Sequence, residues 1–368
     1  MTSYWAASVW GPYSHFTTRI FWRQADATSV DVHIEGTKDP YFDYQQFQLL
    51  IARLNQAGIS KVRSLSFDEN FIFTLNARDS ALSEAYYELD EPTLEMIQSQ
   101  LAKYLKQIDW KYEQTKILAQ QFSIQLPAQI KFSVQTLRFV HSLNFQKELA
   151  QDMFELQSRP LHVLLKEMNR NSNNYAANIV FQRLGGAQEF QKFIKQKLNL
   201  DPEQMLFYNG SGDSLYLSSG KKVYNTANCE AILAVTRALD AFAKKQKLQL
   251  SDFLAVSGKS AAGEPSTLDR PYGSETTKDT LIAKTGTVDP TVALAGLAST
   301  KAGNVFFAYL YSSNGTSQEN SAAQQLIRHD LEKLYQNLNG GKPLNYQALP
   351  FLAFDVFPKV PYTLSSVL

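Results

Sequence analysis

The sequence predicts an α/β (α+β) protein, with an antiparallel sheet flanked by helices, an all-helical cluster and an inserted α+β domain. Apolar residues make up 44% of the chain and charged residues 19%, a composition typical of packed globular proteins. The 368 residues are enough for two domains. Stretches of alternating apolar residues, which favour strands, are interleaved with stretches whose apolar residues recur at helical spacing.

The first quarter of the chain already alternates between helix and strand. We expect a helix over residues 2–10 that stops at Gly11-Pro12, because the residue before a proline disfavours helix and glycine ends helices readily. The β-branched and aromatic residues of segment 16–34 predict a hairpin. Helical spacing predicts a helix over 47–57, and a strand pattern with a turn follows over 62–73.

The middle of the chain is predicted to be largely helical. Segment 80–128 carries an apolar stripe over charged faces, which predicts amphipathic helices. A second helical region is predicted over 137–168, with a break at a proline. A further helix is predicted over 175–184, begun by Asn173 or Asn174, since asparagine is a preferred N-cap.

The last part of the chain holds the clearest strand pattern. Segments 280–300 and 304–312 are rich in Val, Ala, Leu, Phe and Tyr and meet across a short glycine-containing turn, which predicts an antiparallel hairpin in a buried sheet. Helical spacing predicts a closing helix over 322–338. The prolines of segment 346–368 predict an extended C-terminal tail.

Charge and cysteine content exclude several kinds of function. Lys and Arg number 36 against 35 for Asp and Glu, so no global field attracts nucleic acid or an anionic bilayer. The single cysteine allows neither an internal disulfide nor a cysteine-based zinc site. No signal-peptide pattern stands at the start of this sequence, and no stretch of about 18 apolar residues predicts a membrane anchor. We expect no metal or other cofactor, and we interpret the histidines as structural or surface residues: His15, His33, His141, His162 and His329.

Two tripeptides carry the chemistry. Ser172-Asn173-Asn174 supplies a hydroxyl and an amide on a predicted turn between helices, and Lys284-Thr285-Gly286 falls on a predicted strand. Ser-x-Asn and Lys-Thr-Gly are two of the three motifs that meet in the cleft of penicillin-recognising serine enzymes. Each tripeptide alone is weak evidence, so the surrounding sequence decides.

The surrounding sequence resembles one family. Leu161-His-Val-Leu-Leu-Lys-Glu-Met leads into the first tripeptide as that family's leucine-rich helix does, Asn209-Gly-Ser-Gly-Asp-Ser resembles its Asp-Gly-Ser-Gly-Leu-Ser, and Ala283-Lys-Thr-Gly-Thr is similar to its Lys-Thr-Gly strand. Gly11-Pro-Tyr-Ser-His-Phe-Thr-Thr is also typical of it. The family is the class C low-molecular-mass penicillin-binding proteins, which are serine-type D-alanyl-D-alanine carboxypeptidases and endopeptidases. The resemblance covers about residues 2–73 and 155–315.

The resemblance implies a penicillin-recognising, transpeptidase-like fold. Residues 1–18 and 150–345 would form the catalytic domain, and residues 19–149 would form an inserted α+β domain. Residues 74–150 do not resemble the family pattern.

The resemblance also implies the roles of six residues. Ser172 would relay a proton to the leaving nitrogen, Asn174 would hold the substrate amide, and Lys284 would keep the cleft positive and orient Ser172. Three residues of the strand would bind substrate. Thr285 would take the terminal carboxylate, Gly286 would let substrate lie against the strand, and the Thr287 N–H would supply half of an oxyanion hole.

This sequence departs from the family at the nucleophile motif, Ser-x-x-Lys-x-x-Thr. An alignment on Gly11-Pro12 places the motif's threonine on Thr2, so we expect its serine and lysine to stand just before Met1 and the 368 residues alone to be inactive. Two internal matches, Ser218 with Lys221 and Ser219 with Lys222, come in the wrong order and precede no apolar helix face.

The expected function is a D-alanyl-D-alanine carboxypeptidase, with endopeptidase action included, that cleaves peptidoglycan stem peptides through an acyl-enzyme in the periplasm or cell envelope. β-Lactams would inhibit it. The alternative is a non-catalytic relative that binds peptidoglycan peptides or a wall-synthesis partner through the same cleft. Simpler interpretations also stand: Ser172 and Asn174 as helix caps, Lys284 as an edge-strand lysine, and the Asn209–Ser214 turn as a cleft floor. An α/β-hydrolase is set aside because the sequence has no Gly-x-Ser-x-Gly.

Overall fold

A computed structural model describes residues 1–75, 94–121, 126–216, 219–258, 266–288, 291–312, 316–348 and 351–354. Contacts divide the chain into two compact units. Of the described residues, unit 1 contains 1–13 and 162–351, and unit 2 contains 14–75, 94–161 and 352–354. The sequence places its domain boundaries near residues 18 and 150 instead, and that domain assignment stays a prediction. Within the described residues, no helix has the length and apolarity needed to cross a bilayer.

The described helices and strands follow one another along both units. The helices are α1 Thr2–Trp10, α2 Tyr44–Gln56, α3 Leu94–Leu105, α4 Ile108–Gln121, α5 Leu161–Asn171, α6 Asn174–Arg183, α7 Gly186–Leu198, α8 Cys229–Lys245, α9 Asp269–Tyr272 and α10 Ser317–Asn337. The strands are β1 Thr17–Gln24, β2 Val30–Glu35, β3 Lys61–Phe67, β4 Ser133–Phe139, β5 Asp152–Gln157, β6 Met205–Leu206, β7 Leu215–Tyr216, β8 Lys222–Val223, β9 Thr226–Ala227, β10 Ala255–Val256, β11 Leu281–Val288, β12 Thr291–Thr300 and β13 Gly303–Ser312.

Unit 2 is built on a five-stranded sheet in the order β4-β3-β2-β1-β5. β1 pairs antiparallel with β2 and β5, which confirms the predicted hairpin, whereas β2–β3 and β3–β4 are parallel pairs. Parallel neighbours need crossover connections, and α2, α3 and α4 lie on these connections in the chain. The apolar face of α2, with Phe47, Leu50 and Leu54, is fully buried in the core of this unit.

The predicted helical region over 137–168 is wrong for its first part. β4 and β5 lie there, joined by two short 3₁₀ turns, and a helix begins only at Leu161. Leu137 and Phe154 pack against the core of unit 2 from strands. β4 pairs with β3, a strand that lies far away in the sequence. Such long-range pairing overrides weak helical spacing. The predicted helical segment 80–128 is confirmed at α3 and α4. Residues 106–107 and 126–128 are not helical, and residues 80–93 and 122–125 lie outside the described ranges.

Unit 1 is built on a four-stranded antiparallel sheet in the order β10-β11-β12-β13. The predicted hairpin is β12–β13, with Ala295 opposite Ala308. α10 confirms the predicted closing helix and buries Ile327, Leu331 and Tyr335 in one core cluster with the strand residues.

α1 is held in unit 1 by aromatic contacts. Trp5 is 2% exposed and packs edge-on against Phe181 of α6 at a ring distance of 5.3 Å, and tilted against Phe190 of α7 at 5.4 Å. The helix ends at Gly11, as predicted, where a φ of 83° suits glycine. The first residues of α1 are therefore fixed relative to α6 and α7.

Candidate active site

A cleft of about 710 Å³ in unit 1 contains all six residues that the sequence singles out. Four of the segments that line it carry the argument. They are residues 1–3 at the start of α1, the turn 172–174 between α5 and α6, the turn 210–213, and residues 284–288 of β11. Segments far apart in the chain therefore meet in one place, as the order of the two motifs implies.

Lys284 and Ser172 are directly hydrogen-bonded. Lys284 Nζ donates to Ser172 Oγ at 2.8 Å and also to the carbonyl of Thr285. This confirms the expected proximity of the two side chains, while their catalytic roles stay predictions. Removal of the amine from water lowers the pKa of Lys284 from 10.5 to about 8, because burial disfavours the charged form. At neutral pH the lysine is still a cation.

The backbone of Ser172 is unusual. Its φ of 52° lies in the left-handed region, which costs a residue with a Cβ about 1–2 kcal/mol. Asn173 N-caps α6 by accepting a hydrogen bond from the Ala176 N–H at 2.9 Å. Asn173 is therefore the cap of this helix, and the side chains of Ser172 and Asn174 on either side of it point to other partners in the cleft.

Asn174 binds a carboxylate across the cleft. Its Nδ2 donates to Asp213 Oδ2 at 2.5 Å. Asp213 stands where the family resemblance has a leucine, and sequence reasoning did not select it. The other atom of this side-chain amide, Asn174 Oδ1, can accept a hydrogen bond from a substrate N–H.

The turn 208–213 is held by a network of amides. Buried Asn209 donates from Nδ2 to the Asp213 carbonyl at 2.7 Å and accepts from the Gly212 N–H at 2.9 Å. Asn225 Nδ2 donates to both oxygens of Asn209, and Asn225 Oδ1 accepts from the Tyr208 N–H at 2.8 Å. This agrees with a turn that shapes the cleft wall. Asn225 was missed because it belongs to no motif and is 16 residues from Asn209.

Close packing explains the first glycine of this turn. A Cβ on Gly210 would lie 2.0 Å from the Ala177 carbonyl oxygen of α6. The Gly210 carbonyl accepts a hydrogen bond from Thr2 Oγ1 at 3.1 Å. The turn therefore packs closely against α6 on one side and is hydrogen-bonded to the start of α1 on the other.

β11 presents an open backbone edge to the cleft. Among the described residues, β10 pairs only with Ile282 and Ala283, so from Lys284 onward β11 has a strand partner on one side, β12. An extended peptide can add to such an edge as another strand. Lys284 is the first residue of this open stretch, which partly agrees with its interpretation as an edge lysine. Its amine nevertheless contacts Ser172.

The threonines of β11 have different surroundings. Thr285 Oγ1 lies 3.1 Å from Thr267 Oγ1, and Thr267 in turn bonds to the Arg170 carbonyl through its N–H and its hydroxyl. Thr287 is exposed, and its hydroxyl is 3.4 Å from Gln324 Nε2. Thr267 is a further contact that sequence spacing does not reveal.

The internal Ser-x-x-Lys matches lie elsewhere. Ser219 and Lys222 are exposed, and neither lines the cleft. Ser218 lies outside the described residues. These positions agree with the interpretation that this segment does not carry the nucleophile.

The arrangement suits proton transfer and the binding of a peptide that ends in a carboxylate. A cationic amine touches a serine hydroxyl, and an amide oxygen and a strand edge lie beside them. The Thr287 hydroxyl, which accepts from Gln324, can donate to anionic oxygen. Among the described residues, no group of His, Cys, Asp or Glu side chains is placed to hold a metal ion.

Solved structures show the same fold. The predatory peptidoglycan endopeptidase Bd3459 from Bdellovibrio bacteriovorus is 31% identical, with a TM-score of 0.82 over 96% of this chain and 88% of that chain. The same protein acylated by penicillin G, in complex with immunity protein Bd3460, gives a TM-score of 0.81 at 31% identity over 96% and 88% of the two chains. The endopeptidase Bd0816 of that organism is 29% identical, with a TM-score of 0.82 over 96% and 89%. Penicillin binding protein 4 of Haemophilus influenzae, 16% identical with a TM-score of 0.57 over 91% and 90%, agrees in fold alone.

Sequence comparison identifies the family. No curated protein sequence is significantly similar to the chain. The profile of the D-Ala-D-Ala carboxypeptidase 3 (S13) family matches residues 113–334, more than half of the chain, and this range includes both tripeptides of the cleft. The resemblance found in the sequence is confirmed, and the chain belongs to the D-Ala-D-Ala carboxypeptidase 3 (S13) family of penicillin-recognising serine peptidases.

Proposed function

We propose that this protein is a serine-type D-alanyl-D-alanine peptidase that trims and cleaves peptidoglycan stem peptides through an acyl-enzyme. The observation that carries the proposal is the 2.8 Å hydrogen bond from Lys284 to Ser172 within a cleft that Asn174 and the open edge of β11 also line. The proposal is supported because a proton donor, a proton carrier and a peptide-binding edge would then stand side by side.

In this mechanism the substrate lies along β11 as an added strand, and its terminal carboxylate faces the hydroxyl of Thr285 and the cation of Lys284. Attack of a serine hydroxyl on the D-Ala carbonyl forms an acyl-enzyme and breaks the peptide bond. Ser172, hydrogen-bonded to Lys284, passes a proton to the leaving amine. Water then hydrolyses the ester and completes the cycle.

The nucleophile is expected from the start of α1. Met1, Thr2 and Ser3 line the same cleft as Ser172 and Lys284. A Ser-x-x-Lys segment joined to this end would reach the reacting position, and Thr2 would be its following threonine. The relatives support the chemistry, since Bd3459 is a peptidoglycan endopeptidase that penicillin G acylates. A substrate of this kind places the protein in the periplasm or cell envelope, with β-lactams as its inhibitors.

Fluorescent penicillin provides the test. We expect no covalent label on the 368 residues alone, because removal of the nucleophile leaves only binding and electrostatic stabilisation. The same chain extended by a Ser-x-x-Lys segment before Met1 is expected to be labelled on the new serine. In that extended chain, Lys284→Ala should lower the labelling rate about 10²-fold or more.

Lys301→Ala is the matched control. Lys301 is an exposed lysine in the turn between β12 and β13 of the same sheet, and its loss should leave labelling unchanged. Equal labelling of the two variants would contradict the role of Lys284. Label mapped to Ser219 or Ser218 in the 368 residues would show that the internal motif is the nucleophile. Peptide binding without labelling in the extended chain would favour the non-catalytic alternative.

A further inference from the structure

Asp213 is an acidic side chain in the cleft of unit 1 that the proposed chemistry does not use. It lines the cleft and is half-buried. Its Oδ2 accepts a hydrogen bond from Asn174 Nδ2 at 2.5 Å, and no described residue donates to its Oδ1. Each oxygen of a carboxylate can accept about two hydrogen bonds. Asp213 Oδ1 is therefore available to a ligand in the cleft.

The charge of Asp213 is not balanced by a basic partner. Of the described side chains that line the cleft, only those of Asp213 and Lys284 are charged. Burial lowers the pKa of Lys284 and no acid raises it, so Asp213 does not neutralise the lysine. The N-terminal amine of Met1 also lines the cleft, but burial and the nearby Lys284 lower its pKa to about 6, which makes it largely neutral at pH 7.5. The cleft therefore contains one positive and one negative side chain, each available to a ligand.

The two charged side chains contact different ends of the turn 172–174. Lys284 contacts Ser172 and the carbonyl of Thr285, where the proposed function places the terminal carboxylate of the substrate. Asp213 contacts Asn174, which would hold a substrate amide. A peptide whose carboxylate lies at Lys284 would therefore extend its N-terminal part past Asn174 towards Asp213. This direction rests on the proposed function.

The place of Asp213 in the sequence also bears on its role. The family pattern Asp-Gly-Ser-Gly-Leu-Ser has a leucine at this point, whereas this chain has Asn209-Gly-Ser-Gly-Asp-Ser. Leucine has neither a charge nor a hydrogen-bond acceptor in its side chain, so the acyl-transfer steps do not depend on a carboxylate here. An acid at this point is therefore expected to affect which substrate binds, and not which bond is cleaved.

We propose that Asp213 selects stem peptides that carry an ammonium group on the side chain of the residue before the D-Ala-D-Ala pair. The ammonium group donates to Asp213 Oδ1, while the terminal carboxylate of the same peptide meets Lys284. A peptide with a cation and an anion at these two points complements the two charges of the cleft. A neutral side chain leaves the carboxylate of Asp213 without a partner. Asp213 is thus a determinant of specificity that touches no reacting atom.

Calorimetric titration of the 368-residue protein at pH 7.5 tests this selection. The first probe is Nα-acetyl-L-lysyl-D-Ala-D-Ala, whose side chain is a cation. The second is the same peptide acetylated on Nε as well, whose side chain is neutral. We expect the cationic peptide to bind about fivefold more tightly, the size expected of a partly exposed ion pair. Equal binding of the two peptides, or tighter binding of the neutral one, would overturn the proposal.

Asp213→Asn assigns the effect to this side chain. Asparagine keeps an acceptor for Asn174 and removes the charge, so the cationic peptide should lose about fivefold in affinity while the neutral peptide binds as before. Asp330→Asn removes an exposed acid of α10 that does not line the cleft, and this matched control should retain the full preference.

The remaining outcomes separate selection by Asp213 from the proposed function. Equal weakening of both peptides in Asp213→Asn would show that Asp213 only orients Asn174, which overturns its role in selection and leaves the proposed function intact. Unchanged preference in this variant would also overturn that role. If neither peptide binds to the wild type, the proposed function fails, and the inference fails with it.

Discussion

Each unit contains a basic side chain that is removed from water beside a serine hydroxyl. One of these two bases is a cation at pH 7, and the other is neutral. In unit 1, Lys284 donates to Ser172 at 2.8 Å and has a pKa lowered to about 8. In unit 2, His33 contacts Ser66 at 2.9 Å and has a pKa lowered to about 4. Burial is the largest cause of both shifts.

The difference lies in the starting pKa. Lysine begins at 10.5 and histidine at 6.5, so a similar penalty leaves Lys284 charged and His33 neutral at pH 7. The charged amine suits a carboxylate and a proton relay, whereas the neutral ring suits a hydroxyl donor. Burial of a base therefore does not define a ligand until the identity of the base is considered.

The largest expected effect tests the neutral state of His33. Its pKa falls from 6.5 in the unfolded chain to about 4 in the folded protein. Between these values the unfolded state binds the additional proton, so the free energy of unfolding decreases as pH falls from 6.5 to 4. The total loss is roughly 3 kcal/mol at 1.36 kcal/mol per pH unit. Urea unfolding from pH 7 to pH 4 should show that His33→Phe loses about 3 kcal/mol less than the wild type.

The charges near His33 set the background of this measurement. Glu35 and Glu69 raise its pKa and Lys147 lowers it, all less than burial does. His329→Phe changes an exposed histidine of unit 1 and should follow the wild-type pH dependence. Parallel curves for His33→Phe and wild type would show that the pKa of His33 does not change on folding, and the contrast between the units would fail.

A smaller effect tests the charged state of Lys284. A peptide that ends in D-Ala-D-Ala should bind with nearly constant affinity between about pH 5 and pH 7, because the amine that attracts its carboxylate is largely protonated there. Above pH 8 the cation is lost, and the dissociation constant should rise by at most about tenfold per pH unit. Lys284→Arg remains charged and should give a flat profile, measured by the same titration. A flat wild-type profile would place the carboxylate elsewhere.

Local sequence was sufficient for part of the site and of the fold. Ser172, Asn174 and Lys284 could be found because short motifs carry them. The helices on either side of Ser172 and the strand that carries Lys284 also have strong local periodicity. Asn225 and Thr267 could not be found, because what defines them is a contact with a distant segment. The same holds for the β4–β5 region, where pairing with β3 and β1 decides the structure.

His33 shows the limit most clearly. Its sequence context, a histidine within an alternating strand, indicates a structural or surface residue. Local spacing does not reveal its contacts: Ser66 on the neighbouring strand lies 2.9 Å from its Nδ1, and Phe145 stacks on its ring. The lowered pKa of His33 is thus a property of three segments, none of which carries a motif.

The smallest expected effect concerns the serine partner of Lys284. Ser172→Gly and Ser172→Ala both remove the hydroxyl and its hydrogen bond to Lys284, so they differ only by the Cβ at a φ of 52°. Glycine adopts this conformation without steric cost, whereas alanine keeps the clash of the left-handed region. Glycine also gives the unfolded chain more entropy, which offsets part of that gain. We expect Ser172→Gly to be more stable than Ser172→Ala by about 1 kcal/mol in urea unfolding, while both lose the proton relay. If Ser172→Gly is no more stable than Ser172→Ala, Ser172 holds no backbone strain.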